Sequence, residues 1–272
     1  MKRLFRILFA AACMVCAGSV VLLLGYYRSG REGSQEYAGL IRRAVSIRKD
    51  AEQPDQQLDR NTDRNQQAEI KNPPALFVDF EELQSINEDI EAWIDFPGQN
   101  ISYPVVQGED NSHYLKYTFE GTRNGSGCIF ADCRNEGLLT DDNTVIYGHN
   151  MRNGSMFGLL KSYLEQEHYK QFPYFDLYMP QGVYRCRIIA ACRVLAREES
   201  YPTRFSTELE RNQFIAGMKN QCPYAIDPDT AGEEVPLVPD GEAPLVMLST
   251  CVGGGQYQYR FALLAEAVKV RE

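Results

Sequence analysis

Three residues have the types and surroundings that acyl transfer needs. Cys251 closes the run Leu245-Val246-Met247-Leu248-Ser249-Thr250 and opens onto Gly253-Gly254-Gly255. A cysteine at a strand end before glycines is accessible, and glycine lets a ligand's backbone approach closely. Arg260 lies nine residues on, in the returning strand of the implied hairpin, where a guanidinium can come near the thiol. His149 ends another apolar run, Val145-Ile146-Tyr147-Gly148-His149. The thiolate would be the nucleophile, with its pKa drawn below a free value of about 8.5 by nearby positive charge. His149 can give a proton to a leaving amine. Arg260 keeps its proton at working pH, so it is better cast as an oxyanion stabiliser or an anchor for the substrate backbone. Taken singly, each residue has a plainer reading: a small buried cysteine, a structural histidine, a solvated strand arginine. His113 and His168 have no comparable surroundings and read as surface or structural residues.

These residues need strands to carry them. From residue 101 onward, short apolar runs alternate with Gly, Asn, Asp and Pro. Candidate strands are 101–106, 114–118, 127–131, 143–148, 173–179, 183–195, 244–250 and 258–269, which predict a mainly β, closed or sandwiched architecture. Ahead of them, Asp79 reads as an N-cap, and Phe80, Leu83, Ile86, Ile90 and Trp93 recur at helical spacing, so the pattern predicts one or two helices over 80–94. A helix is expected after Ser155, and another over about 206–221 with Leu209, Phe214, Ile215 and Met218 as its apolar stripe. Within 183–195, Arg185, Arg187 and Arg193 fall on one face and Cys186 and Cys192 on the other. Those two cysteines read as core. Cys128 and Cys133 lack a zinc spacing. Cys222 and others could pair in an oxidising space, with the pairing left open. No metal or cofactor site is expected. The acidic stretch 227–242 reads as a solvated loop.

The N-terminal part differs in composition. The 272 residues carry 28 Lys+Arg against 37 Asp+Glu, a net charge of −9. Residues 1–27 hold three basic residues and no acid, 28–75 hold nine basic and eight acidic, and 76–272 carry the remaining 16 and 29. The folded part is therefore strongly acidic, which argues against nucleic acid as a partner. Residues 7–27 are 21 uncharged positions, enough for a helix of about 31 Å, close to the bilayer core. Lys2, Arg3 and Arg6 predict a cytoplasmic N-terminus at 1–6 by the positive-inside rule. A cleaved signal peptide is the rival, but the run is long for one and no clean small-residue site follows it. Residues 28–75, rich in Gln, Asp, Arg and Asn, read as a polar stalk, with a short helix near Tyr37–Ile47 as an option. That leaves 76–272 as the catalytic domain.

Taken in order, these segments resemble the class B sortases, membrane-anchored cysteine transpeptidases of Gram-positive bacteria. The resemblance runs over about 78–272. It rests on the entry helix with Ile86-Asn87 and Trp93-Ile94, then Ile101-Ser102-Tyr103-Pro104-Val105-Val106-Gln107-Gly108, Asn111, Tyr114-Leu115, Gly127-Cys128-Ile129-Phe130 with Asp132 and Arg134-Asn135, Tyr147-Gly148-His149-Asn150, Gly154-Ser155-Met156-Phe157, and Leu248-Ser249-Thr250-Cys251 with Arg260. It implies a closed eight-stranded sortase-type barrel with N-terminal helices and a helix before the seventh strand, preceded by one transmembrane helix. It also implies that Cys251 attacks the Thr carbonyl of a C-terminal sorting motif and forms a thioester. A cell-wall amine would then resolve the thioester, which anchors the surface protein to peptidoglycan. His149 and Arg260 match the other two catalytic positions, and Asn111, Leu115, Tyr201 and Ser249 match groove positions. The implied location is the cell membrane, single-pass, with the catalytic domain outside.

Departures from the pattern are Met247, where the family's run begins with Thr, and the absence of an acid between Cys251 and Arg260. Two rivals remain: a pilus-type sortase that uses a pilin Lys, and a membrane-tethered cysteine peptidase. No inhibitory lid sequence supports the first, and no recognisable carboxamide or carboxylate orients His149 for the second.

Overall fold

The computed structural model describes residues 2–47, 74–197, 200–226, 243–251 and 258–271. Residues 48–73 of the stalk expected over 28–75, the acidic stretch 227–242, the glycines 253–255 and the Cys251 side chain lie outside the described residues.

Among the described residues ten strands and four α-helices follow one another: α1 (Lys2–Ala44), β1 (Val45–Ile47), β2 (Leu76–Val78), α2 (Phe80–Ile86), β3 (Ile90–Asp95), β4 (Ser102–Val106), β5 (Ile129–Ala131), β6 (Asn143–Tyr147), α3 (Gln166–Gln171), β7 (Tyr174–Met179), β8 (Gly182–Leu195), α4 (Glu208–Asn220), β9 (Leu245–Cys251) and β10 (Tyr259–Arg271). Eight of these strands close a barrel in the order β10-β8-β7-β3-β4-β5-β6-β9, and β1 pairs with β2 beside it. The pairs β4/β5 and β6/β9 are parallel, and the other barrel pairs are antiparallel. Closure removes the open sheet edges that would otherwise pair with other chains. As expected, a helix (α4) precedes the seventh barrel strand.

One of the eight strands is not where the apolar pattern put it. Residues 90–95 form β3 instead of continuing the helix. The helix starts as predicted, with Asp79 Oδ1 accepting from Glu82 N at 3.0 Å. It ends at Asn87, whose side chain holds Tyr114 Oη (3.1 Å), the Phe119 carbonyl (2.9 Å) and the Asp89 amide (3.0 Å). Ile90 and Trp93 fit helical spacing, but Ile90, Ala92 and Ile94 also alternate and are all buried, with Trp93 buried on the other face between the half-buried Glu91 and Asp95. In exchange, the expected strand at 114–118 is a 3₁₀ turn at His113–Leu115. Asp110 Oδ1 accepts from Ser112 N, Ser112 Oγ and His113 N at 2.6–2.8 Å, a local competitor that coils the backbone.

Other expectations shift for similar reasons. After Ser155 the chain forms a 3₁₀ turn at Leu160–Leu164 and then α3. In α4, Thr207 caps the start, Ile215 and Met218 are buried, and Leu209 is exposed. Cys186 and Cys192 are buried as read, yet Arg185 and Arg187 on the opposite face are buried too. Arg185 is held by Asp176 at 2.8 Å and lies 4.1 Å over the Tyr174 ring.

The N-terminal helix runs further than the stalk reading allowed. α1 continues to Ala44, and Tyr37, Leu40 and Ala44 are buried against the barrel. The expected span at 7–27 lies within α1, and many of its side chains are outside the described residues. No helix among the described residues is long and apolar enough to cross a membrane, so the membrane-spanning part of the expected fold has no support there.

Candidate active site

Two strand pairings bring the predicted residues together. In the antiparallel pair β9/β10, Arg260 is directly opposite Cys251. Directly opposed residues share one face of a sheet. In the parallel pair β6/β9, Tyr147 is level with Ser249, and Gly148 N donates to the Ser249 carbonyl at 3.1 Å. His149 and Cys251 each follow that level by two residues. The backbone positions of His149, Cys251 and Arg260 thus lie at one end of three adjacent strands.

His149 is partly exposed and its Nε2 lies 2.9 Å from the Leu115 carbonyl. A carbonyl only accepts, so in this contact Nε2 carries a proton and donates it. Two glycines permit the arrangement. A Cβ on Gly148 would lie 2.5 Å from Ile129 Cδ1 and 2.7 Å from the Phe157 ring. Gly127 has φ +58°, and a Cβ there would sit 2.4 Å from the Tyr114 carbonyl and 3.2 Å from His149 Cδ2.

Beside Arg260 is a cleft of about 400 Å³ lined by Asn111, Asp132, Arg134, Tyr147 and Tyr201 among others. Of the four expected groove residues, Asn111 and Tyr201 line it. Ser249 is buried beneath and donates to Tyr201 Oη at 3.2 Å. Leu115 is 38% exposed and stands on the His149 side instead, touching the histidine through its carbonyl. The Tyr201 loop is pinned to the start of β6: Asn143 Nδ2 donates to the Pro202 carbonyl at 2.6 Å, and Asn143 N to the Thr203 carbonyl at 3.0 Å. A cavity of about 450 Å³ between α1 and the barrel is lined by Tyr37, Ile41, Tyr103 and Met156 among others, away from this cluster.

Asp132, Arg134 and Tyr147 carried no assigned role in the sequence reading. They stood in the sequence as parts of the family resemblance, with no function attached to any of them. Burial alone would raise the Asp132 carboxyl, but hydrogen bonds from Arg134, Asn111 and Tyr147 outweigh it and hold the group at about 2. Burial, with Asp132 beside it, pushes the Tyr147 phenol up, so it remains a donor. The other two histidines are elsewhere: His113 stacks on Tyr117 at 4.6 Å, and His168 Nε2 lies 3.1 Å from Gln99 Oε1.

No family model matches the chain. Sortase B of Staphylococcus aureus (strain NCTC 8325 / PS 47) is 29% identical over 192 residues, 70% of this chain and 75% of that protein. A solved structure described as a Staphylococcus aureus sortase B-substrate complex is 30% identical, with a TM-score of 0.63 over 71% of this chain and 85% of that one. The chain belongs to the class B sortases. A Bacillus anthracis structure described as similar to sortase B extends the likeness to 88% of this chain and 97% of that one, at 26% identity and a TM-score of 0.66. Sortases are cysteine transpeptidases, and this sortase carries its strand-end cysteine, histidine and arginine on the same closed barrel.

Proposed function

We propose that this sortase cleaves a C-terminal sorting motif after Thr and transfers the acyl group to a cell-wall amine. The observation that carries the reading is the register: Arg260 opposite Cys251, with His149 at the end of the parallel neighbour. The Cys251 thiolate attacks the Thr carbonyl carbon. Arg260 stabilises the oxyanion that develops, and the carbon–nitrogen bond breaks as His149 gives a proton to the departing amine. The resulting thioester is attacked by the acceptor amine, whose proton passes back to His149 as the Cys251 thiolate leaves. Among the similar structures, one is described as a sortase B-substrate complex and another as sortase B complexed with triglycine, which supports a peptide donor and an amine acceptor here. Asn111, Leu115, Tyr201 and Ser249 would hold the peptide. The uncharged run 7–27 would anchor the chain in the cell membrane with its N-terminus inside and the barrel outside, and peptidoglycan would supply the amine.

Intact mass spectrometry tests this with full-length chain in detergent and peptides of the Asn-Pro-x-Thr-Asn, Ser-Pro-x-Thr-Gly and Leu-Pro-x-Thr-Gly types. One of them should leave an acyl adduct that is absent in Cys251→Ala and is discharged faster by added amine. Arg260→Ala and His149→Ala should each lower turnover by orders of magnitude with the fold intact. Wild-type turnover in Arg260→Ala would remove the oxyanion role. Discharge indifferent to amine would favour a hydrolase, and discharge by a pilin Lys alone would favour the pilus type.

A further inference from the structure

A heavily bonded side chain beside the cleft is one that neither attacks nor protonates anything. Asp132 follows β5 and is fully buried. Its Oδ1 accepts from Asn111 Nδ2, Arg134 N and Arg134 Nε, all at 3.0 Å. Its Oδ2 accepts from Arg134 Nη2 at 2.7 Å and Tyr147 Oη at 2.8 Å. Every one of these partners donates, and three of the donating residues line the cleft. The arrangement continues outward: Arg134 Nη2 donates to the Tyr201 carbonyl at 3.1 Å, and the Tyr147 and Tyr201 rings meet edge to face at 5.8 Å. Asn111 Oδ1 accepts from Cys133 N at 2.9 Å, which fixes the orientation of that amide. Its second Nδ2 hydrogen has no acceptor among the described residues, so it can meet a peptide carbonyl.

We propose that Asp132 is a positioning residue for substrate recognition: its carboxylate aims the Asn111 amide and braces the Tyr147–Tyr201 wall for an extended peptide backbone. This deepens the reading above and rests on it. An ionised carboxylate suits the place because it only accepts, and all five bonds run toward it. In Asp132→Asn the volume is kept, but one oxygen becomes an NH2 that faces donors. The damage should therefore fall on binding and not on the thiol.

The test uses full-length chain in detergent and the peptide that acylates the wild type. Asp132→Asn should raise KM about tenfold or more, the loss expected for a charged hydrogen bond, while kcat stays within about threefold. Asn111→Ala should raise KM as well, and the double variant should be no worse than the poorer single variant. Tyr147→Phe and Arg134→Lys, each removing part of the network, should give intermediate values of KM. A KM unchanged in Asp132→Asn, a loss confined to kcat, or additive effects with Asn111→Ala would overturn the proposal. A second readout needs no turnover: the Asn111 side-chain amide resonance, assigned with Asn111→Ala, should shift toward that of a solvated amide in Asp132→Asn. If it does not move, Asp132 does not aim it. A wild-type chain that no peptide acylates defeats the functional reading instead, and the amide resonance still decides the role of Asp132.

Discussion

At the residue scale, His149 depends on what lies under it. Its Nε2 is tied to Leu115 through a carbonyl, and the segment bearing that carbonyl is seated on Gly127. Gly127→Ala places a methyl 2.4 Å from the Tyr114 carbonyl in a left-handed backbone conformation. It should cost about 1–3 kcal/mol in a denaturant titration and lower kcat/KM, because the backbone it displaces carries both Leu115 and the carbonyl that holds His149. The chemistry-bearing residue types were readable from local sequence, since a strand-end cysteine before glycines needs no tertiary information to be noticed. The role of Asp132 was not readable, because its partners Asn111 and Tyr147 reach it from other segments of the chain.

At the element scale, α1 belongs with the barrel over its last turns. Tyr37 Oη donates to the Gly127 carbonyl at 2.6 Å, Glu36 accepts from the Glu120 amide at 3.1 Å, and Arg43 pairs with Glu120. These contacts hold the 119–127 segment on which His149 depends. A fragment beginning at residue 76 exposes what Tyr37 and Leu40 cover. It should be less stable than one beginning at 31 by roughly 4 kcal/mol, seen as a lower unfolding midpoint. Tyr37→Phe keeps the ring and should cost about 1 kcal/mol by the same measurement. Polar composition hid this packing, because the buried residues Tyr37, Leu40 and Ala44 are few and sit among charges. The exchange of β3 for the expected strand at 114–118 has a related cause: helical and alternating spacing coexist over 86–94, and pairing with β4 and β7 chose between them.

At the scale of the whole molecule, stability should depend on two carboxylates with opposite signs. Asp132 is held at about 2, below the usual value near 3.9. It therefore contributes stability that is fully present above the unfolded value and is lost as pH falls toward about 2. Asp95 is pushed up to about 6 by burial, with Asp176 adding to the shift against a hydrogen bond from Ser102. The fold holds its proton more tightly than the unfolded chain does, so stability declines from about pH 4 to pH 6 and then levels off. Asp95→Asn should match the wild type near pH 4 and exceed it by up to about 2 kcal/mol at pH 7, read from urea midpoints across that range. Asp132→Asn should flatten the acid limb instead.

The chain alone determined which residues could act: one cysteine before glycines, one histidine after an apolar run, one arginine in a return strand, and strands enough to close a barrel. Those are local matters of residue type, alternation and turn chemistry. Their meeting was decided only by tertiary structure. β6 and β9 pair in parallel although their paired residues are about a hundred positions apart in the chain. No hairpin dictates that register; it follows from closing the barrel around a core in which Trp93, Phe175 and Phe261 are fully or almost fully buried.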